Sequence, residues 1–141
     1  QIEPLEGAKE FLGELRSSYQ VIVLSDTFFN LSKPIFTKLN LPSVFCHKLL
    51  VDSQGMVSGI KKCADNHKML TIEYMKRLNF YTIAVGDSYN DINMLKYADH
   101  GILFRTTNEI EERFPNFFNC KTFETLKKKI DTIFSSIEES A

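Results

Sequence analysis

The sequence predicts an α/β fold built on a doubly wound parallel sheet. Short apolar runs at residues 21–24, 81–85 and 101–104 are separated by longer segments whose apolar residues have helical spacing. Runs of this length, rich in β-branched residues, are typical of buried strands. Strands that alternate with helices are typical of a parallel sheet.

The first half of the chain shows two helical stripes and a hairpin pattern. The apolar stripes comprise Ala8, Phe11, Leu12 and Leu15 before the first strand, and Leu31, Ile35, Phe36 and Leu39 after it. Pro34 lies either in the first turn of a helix that follows Ser32 or inside a helix that begins near Phe28. Extended segments at 44–46 and 49–51, a turn at 52–55 and a return at 56–57 predict a β-hairpin.

The second half predicts three more helices, after Asn66, after Asn90 and near the end of the chain. Their stripes include Leu70, Ile72, Met75 and Leu78 in the first, Ile92, Met94 and Leu95 in the second, and Phe123, Leu126, Ile130, Ile133 and Ile137 in the third. The aromatic-rich segment 110–120 is interpreted as packing rather than as a site.

Length and composition predict one cytoplasmic domain over residues 1–141. Hydrophobic residues make up 43% and charged residues 25% of the chain, which is ordinary for a globular domain. The net charge of −1 gives no reason to expect a nucleic-acid partner, and no apolar run reaches the roughly 18 residues of a membrane span. Three cysteines without a CxxC pair indicate reduced thiols rather than a zinc site.

The sequence GDSYND at residues 86–91 is the strongest candidate site. It places Asp87, Asn90 and Asp91 where a buried strand passes into a helix, and ligands bind at that edge of parallel sheets. Carboxylates there suit Mg²⁺, which proteins hold through one or two carboxylates together with substrate phosphate. The alternative is that Asp87 or Ser88 only caps the helix.

Two further elements have the properties of a phosphate site. Ser25, Asp26 and Thr27 follow the apolar run 21–24, and a hydroxyl with backbone N–H groups at such a strand end can hold phosphate oxygens. For Thr27 a helix cap is the preferred interpretation. Lys68 begins a helical pattern, where the helix dipole disfavours a cation unless it faces an anion.

In this order, the three elements resemble three of the four motifs of the haloacid dehalogenase superfamily of phosphohydrolases. Ser25 matches the second motif, Lys68 the third, and Asp87 with Asp91 the acidic fourth motif, GDxxND. The strings VIVLSDTF, CHKL, AVGDSYNDINML and GILF resemble the phosphoserine phosphatase branch. Within it they are most similar to the bifunctional phosphoserine phosphatase/homoserine phosphotransferase type.

The resemblance implies a role for each matched residue. Asp87 is expected to hold Mg²⁺, while Ser25 and the N–H of Asp26 bind phosphoryl oxygens. Lys68 is expected to neutralise charge and Asn90 to bind substrate or phosphate. Asp91 is expected to orient a metal-bound water or Lys68. The implied substrate is phosphoserine, in serine biosynthesis, with homoserine phosphotransfer as the alternative activity.

The family's first motif, DxDx[TV], does not occur in the sequence. Its first Asp is the family's nucleophile and its second the general acid/base. We therefore expect a C-terminal portion of such an enzyme, without the N-terminal strand and cap and inactive alone. Its expected partners are a small phosphorylated metabolite and either the missing N-terminal segment or a second copy of the chain.

Two other classes of protein remain open. One is a response-regulator-like or binding module, in which Asp87 is structural or accepts a phosphoryl group. The other is a non-catalytic interaction domain, whose carboxylates bind no metal. His47 and Lys48, in the string CHKL, are left outside the predicted site as hairpin residues.

Overall fold

The computed structural model of the protein describes residues 2–140, which form six helices, six strands and a 3-10 turn. The described residues divide into two compact units that meet in sequence between Asp65 and Asn66. The first unit contains α1 (Ala8–Ser18), β1 (Ile22–Phe28), α2 (Phe29–Lys38), β2 (Ser43–Val51) and β3 (Val57–Lys61). The second contains α3 (His67–Arg77), β4 (Ile83–Gly86), the 3-10 turn (Tyr89–Asp91), α4 (Ile92–Tyr97), β5 (His100–Phe104), α5 (Asn108–Arg113), β6 (Phe118–Cys120) and α6 (Phe123–Ser140).

The first unit holds a three-stranded sheet in the order β1-β2-β3. β1 runs parallel to β2, with Leu24 opposite Phe45 and Phe28 opposite His47. Between these pairs β1 advances by four residues and β2 by two, so residues 25–27 bulge out of the pairing. β1 continues past its apolar run at residues 21–24, because its pairing with β2 resumes at Phe28.

β2 and β3 form the predicted hairpin, in antiparallel register with Lys48 opposite Lys61. Asp52 closes the turn through its Oδ1 atom, which accepts hydrogen bonds from the N–H groups of Gln54 and Met56, both at 2.9 Å. Gly55 takes a φ of 82°, which a residue without a side chain adopts readily. After β1, helix α2 begins at Phe29 and contains Pro34 in its interior, so the second of the two placements predicted for Pro34 is correct.

The second unit holds a parallel sheet in the order β4-β5-β6. Its most deeply buried side chains come from α4, β5, β6 and α6, and are Leu95, Ile102, Leu103, Cys120 and Leu126. β6 lies in the aromatic-rich segment, where the sequence predicted packing but no strand. None of the helices within residues 2–140 has both the length and the apolar character needed to cross a bilayer.

The α/β class and the parallel pairing predicted from the sequence are confirmed. The strands are distributed over two three-stranded sheets, one mixed and one parallel. The prediction that residues 1–141 form one domain stays a prediction.

Candidate active site

The carboxyl end of β4 places Asp87 at the surface and Asp91 in the interior. β4 ends at Gly86, Asp87 follows it with its side chain exposed, and the chain then turns through Tyr89–Asp91 into α4. Ser88 precedes the 3-10 turn in an extended conformation, as an N-cap residue does. Both carboxylates therefore follow within five residues of the end of β4.

Asp91 is buried and fully engaged by hydrogen-bond donors. Its Oδ2 atom accepts from the N–H of Asp87 at 3.0 Å and from the N–H and hydroxyl of Ser88, both at 3.3 Å. Its Oδ1 atom accepts from the ammonium of Lys68 at 2.8 Å. Burial alone would raise the pKa of Asp91, but Lys68 and these N–H donors lower it below the ordinary value. Asp91 is therefore held as a carboxylate in the interior.

Gly86 makes this placement of Asp91 possible. A Cβ atom on Gly86 would lie 2.5 Å from Asp91 Cβ and 2.7 Å from its Oδ2. Carbon atoms in contact are normally about 3.5–4.0 Å apart. The glycine at the start of GDSYND is therefore required by the close approach of the carboxylate at its end.

Lys68 is the second residue of α3, as the sequence predicted. Its side chain is only 15% exposed, and that of Asp91 is 8% exposed. The cation near the helix N-terminus faces a carboxylate, which compensates for its unfavourable position in the helix dipole. This ion pair joins two of the predicted site residues directly.

The carboxylate of Asp87, unlike that of Asp91, is exposed and could face a cation. Partial burial raises its pKa, and the neighbouring Asp91 carboxylate raises it further, while Lys68 acts in the opposite direction. The hydroxyl of Thr106 donates to the backbone carbonyl of Asp87 at 2.7 Å, which fixes the main chain. Hard oxygen donors next to excess negative charge fit Mg²⁺.

No group of three or more His, Cys, Asp or Glu side chains within residues 2–140 is arranged to hold a metal ion. Both Asp91 oxygens already accept hydrogen bonds, so we expect Asp87 rather than Asp91 to face a cation, and its role as metal ligand stays a prediction. A Mg²⁺ ion commonly keeps several water ligands and completes its shell from substrate phosphate. Asn90, exposed in the 3-10 turn, keeps its predicted substrate-binding role as a prediction.

The predicted phosphate-binding residues of the first unit lie on the bulge of β1. Ser25 is half-buried, and its Oγ atom accepts the N–H of Thr27 at 3.2 Å, so the bond does not use the hydroxyl hydrogen. Thr27 and Ser32 share a hydroxyl–hydroxyl hydrogen bond of 2.7 Å. The interpretation of Thr27 as a helix cap is wrong, because Phe28 occupies the N-cap position of α2.

His47 lies beside Asp26 and was not predicted as part of the site. Its Nε2 atom is 4.0 Å from Asp26 Oδ1, and its Nδ1 atom accepts the N–H of Cys63 at 3.0 Å. Its ring centroid is 5.8 Å from that of Phe28. The string CHKL was visible in the sequence, but the proximity to Asp26 follows from the register of β1 on β2.

Lys68, Asp87 and Asp91 are thus brought together in the second unit, at the carboxyl end of β4. Ser25 and Asp26 occupy a bulged strand in the first unit. That these two groups share one phosphate stays a prediction.

The chain belongs to the haloacid dehalogenase-like hydrolases. The sequence model of the haloacid dehalogenase-like hydrolase family matches residues 1–99. The segment includes the predicted second, third and fourth motifs.

The proteins similar to this chain include enzymes named phosphoserine phosphatase. The chain is 41% identical over 128 residues to a protein of Pseudomonas aeruginosa named phosphoserine phosphatase ThrH, covering 91% of this chain and 62% of that protein. It is 41% identical to a phosphoserine phosphatase of Pseudomonas syringae, covering 54% of that protein. A solved structure of a substrate-bound phosphoserine phosphatase complex matches with a TM-score of 0.68 and 29% identity, covering 89% of this chain and 63% of the other. The chain therefore spans less than two thirds of the length of each of these relatives.

Proposed function

We propose that this chain is part of a Mg²⁺-dependent phosphohydrolase of small phosphorylated amino acids, with phosphoserine as the substrate, in cytoplasmic serine biosynthesis. The observation that carries the proposal is the buried Lys68–Asp91 ion pair beside the exposed Asp87 at the end of β4. The similarity to two enzymes named phosphoserine phosphatase supports the choice of substrate.

In this proposal each residue keeps the role that the family resemblance implies. Ser25 has a hydroxyl hydrogen to donate to a phosphoryl oxygen, together with the N–H of Asp26. Lys68 balances the negative charge of Asp91 and of a bound phosphate, and Asp91 fixes the position of the ammonium. Held by Asp87, Mg²⁺ supplies electrostatic stabilisation of the phosphoryl group. Such stabilisation is the main contribution of the protein to phosphoryl transfer.

The covalent step needs a group that these 141 residues do not contain. In the family that the chain resembles, the first Asp of DxDx[TV] is the nucleophile, and no such motif occurs here. Positioning and charge stabilisation cannot replace a nucleophile. We propose that turnover requires a segment that carries this motif, joined to the chain or supplied by a partner.

A chimera tests this proposal. The N-terminal portion of the Pseudomonas aeruginosa relative, outside its match to this chain, is fused before residue 1, and phosphate release from phosphoserine is measured with and without Mg²⁺. We expect turnover by the chimera, none by the 141-residue chain, and loss of turnover in the chimera with Asp87→Asn. Robust turnover by the 141-residue chain would contradict the assignment of the nucleophile.

Adding a phosphoryl acceptor or a phosphoryl donor distinguishes the phosphatase from the two alternative activities. Formation of phosphohomoserine when homoserine is added to the chimera would identify a phosphotransferase. Mg²⁺-dependent labelling of the 141-residue chain by acetyl phosphate, lost in Asp87→Asn, would indicate the response-regulator-like class instead.

The metal site can be tested without turnover. Titration of the 141-residue chain with Mg²⁺, followed by amide NMR shifts, is expected to perturb residues 86–91 in the wild type and to leave them unperturbed in Asp87→Asn. Asp131→Asn, on α6, makes the same charge change as a control and should retain the response. An equal Mg²⁺ response in the wild type and Asp87→Asn would exclude Asp87 as the ligand and favour the non-catalytic class.

A further inference from the structure

We propose that Cys46 and Cys63 form a reversible disulfide that closes the open end of the β2–β3 hairpin. The register of the hairpin first suggests the pair. Lys48 lies opposite Lys61 and Leu49 opposite Ile60, and the same register continued two residues further from the turn would bring Cys46 opposite Cys63, beyond the end of β3. Residues directly opposite in antiparallel pairs have side chains on the same face and Cα atoms about 4.5–5.5 Å apart. That spacing falls within the roughly 4.4–6.8 Å of disulfides.

Two contacts show that the strands remain close beyond the last paired residue of β3. The Sγ–H of Cys63 donates to the backbone carbonyl of Cys46 at 3.1 Å. The N–H of Cys63 donates to His47 Nδ1 at 3.0 Å, on the neighbouring residue of β2. The two thiols therefore share one small region at the base of the hairpin.

The environment of the pair suits slow, reversible oxidation. Both cysteines are half-buried, whereas Cys120 is buried in the second unit. Burial and the neighbouring Cys63 raise the pKa of the Cys46 thiol, which lowers its thiolate fraction and hence its reactivity. No group of three or more His, Cys, Asp or Glu side chains that could hold a metal ion lies within residues 2–140.

The reaction needs a low-molecular-weight disulfide, such as oxidised glutathione. One cysteine thiolate attacks its S–S bond, forms a mixed disulfide and releases one glutathione thiolate. The second cysteine thiolate then attacks the protein sulfur and releases the second glutathione. The protein gives up two protons and two electrons, which reduce the glutathione disulfide to two glutathione thiols.

To test the proposal, the native 141-residue chain is equilibrated in glutathione buffers that contain an increasing fraction of oxidised glutathione. Intact mass and peptide mapping are expected to show the loss of two hydrogens, a Cys46–Cys63 cross-link that dithiothreitol reverses, and a free Cys120. Cys120→Ser should behave like the wild type, and Cys46→Ser and Cys63→Ser should form only glutathione adducts. Adducts without a cross-link in the wild type, or cross-links through Cys120, would overturn the proposal.

A comparison with the unfolded chain separates the geometry of the hairpin from chance encounter. The equilibrium constant for forming the disulfide is measured in buffer and in concentrated urea, where the ends of a flexible loop meet at an effective concentration on the order of mM. We expect the constant to be at least about tenfold larger in buffer, because the folded hairpin holds the thiols together. Equal constants in the two conditions would show that the fold does not favour the bond.

Discussion

Replacing Lys68 by Met tests the buried ion pair on which the candidate site depends. The change removes the charge but keeps much of the side-chain length, so it leaves the Asp91 carboxylate, 8% exposed, without its cation. Removing one partner of a buried ion pair costs about 3–5 kcal/mol. Asp91 keeps the N–H donors of Asp87 and Ser88, so we expect about 3 kcal/mol, at the lower end of that range.

Denaturant unfolding followed by circular dichroism measures the loss, and hydrogen exchange at the amides of Asp87 and Ser88 locates it. Lys127→Met is the matched control, because Lys127 pairs with Asp131 at 2.7 Å but the two side chains are 28% and 41% exposed. Exposed pairs within one helix contribute about 0.5 kcal/mol or less. The control should therefore change the free energy of unfolding only slightly.

The same loss in Lys68→Met and Lys127→Met would refute the reasoning, since burial would then not determine the strength of the pair. The double variant Lys68→Met with Asp91→Asn gives a second check. Because it removes both charges, it should be more stable than Lys68→Met alone. A double variant that is less stable than Lys68→Met would show that the lost stability does not come from an uncompensated carboxylate.

Three further results are expected. Gly86→Ala should lower the free energy of unfolding by about 1–3 kcal/mol, because the added methyl group would overlap Asp91. Gly13→Ala should raise it by roughly 0.5–1 kcal/mol, because Gly13 lies in α1 with open space around it. Chemical unfolding measures both changes. Burial alone would raise the pKa of Asp99, but hydrogen bonds from Thr82 lower it below its ordinary value of about 3.8. The Asp99 carboxylate therefore stabilises the fold above that ordinary value, and this stabilisation is lost as the pH falls through the lowered pKa. The difference in unfolding free energy between wild type and Asp99→Asn should thus be constant above about pH 5 and shrink below about pH 4, and a constant difference throughout would exclude this linkage. A peptide that carries a strand with the family's DxDx[TV] motif should raise the midpoint of thermal unfolding, because a ligand of the folded state stabilises it. An unchanged midpoint would argue against a strand supplied in trans.

Local patterns predicted the elements that carry the second-unit site. The apolar run before GDSYND is β4, the helical stripe after Asn66 is α3, and Lys68 lies at its start. These features depend on residues close together in the sequence, where strand periodicity and helix spacing are informative. The ion pair between Lys68 and Asp91 joins positions 23 residues apart, and only the resemblance to a family indicated it.

Features that depend on strand register could not be predicted from the sequence. The bulge at residues 25–27, the proximity of His47 to Asp26 and the contact of Cys63 with the Cys46 carbonyl all depend on which residues of the neighbouring segments lie beside β2. A shift of one residue would turn each of these side chains to the other face. Composition and spacing cannot distinguish such registers, and three cysteines without a CxxC pair gave no sign that Cys63 contacts Cys46.

The close contact between Gly86 and Asp91 affects how a mutational scan of this protein should be interpreted. Every substitution at Gly86 adds a Cβ atom where the Asp91 carboxylate lies, so the position will tolerate few residues although it has no functional group of its own. A scan scored by activity alone would classify Gly86 with the chemically active residues. Anyone who transfers GDxxND to a designed α/β scaffold must therefore move the glycine and the second aspartate together, as one steric unit.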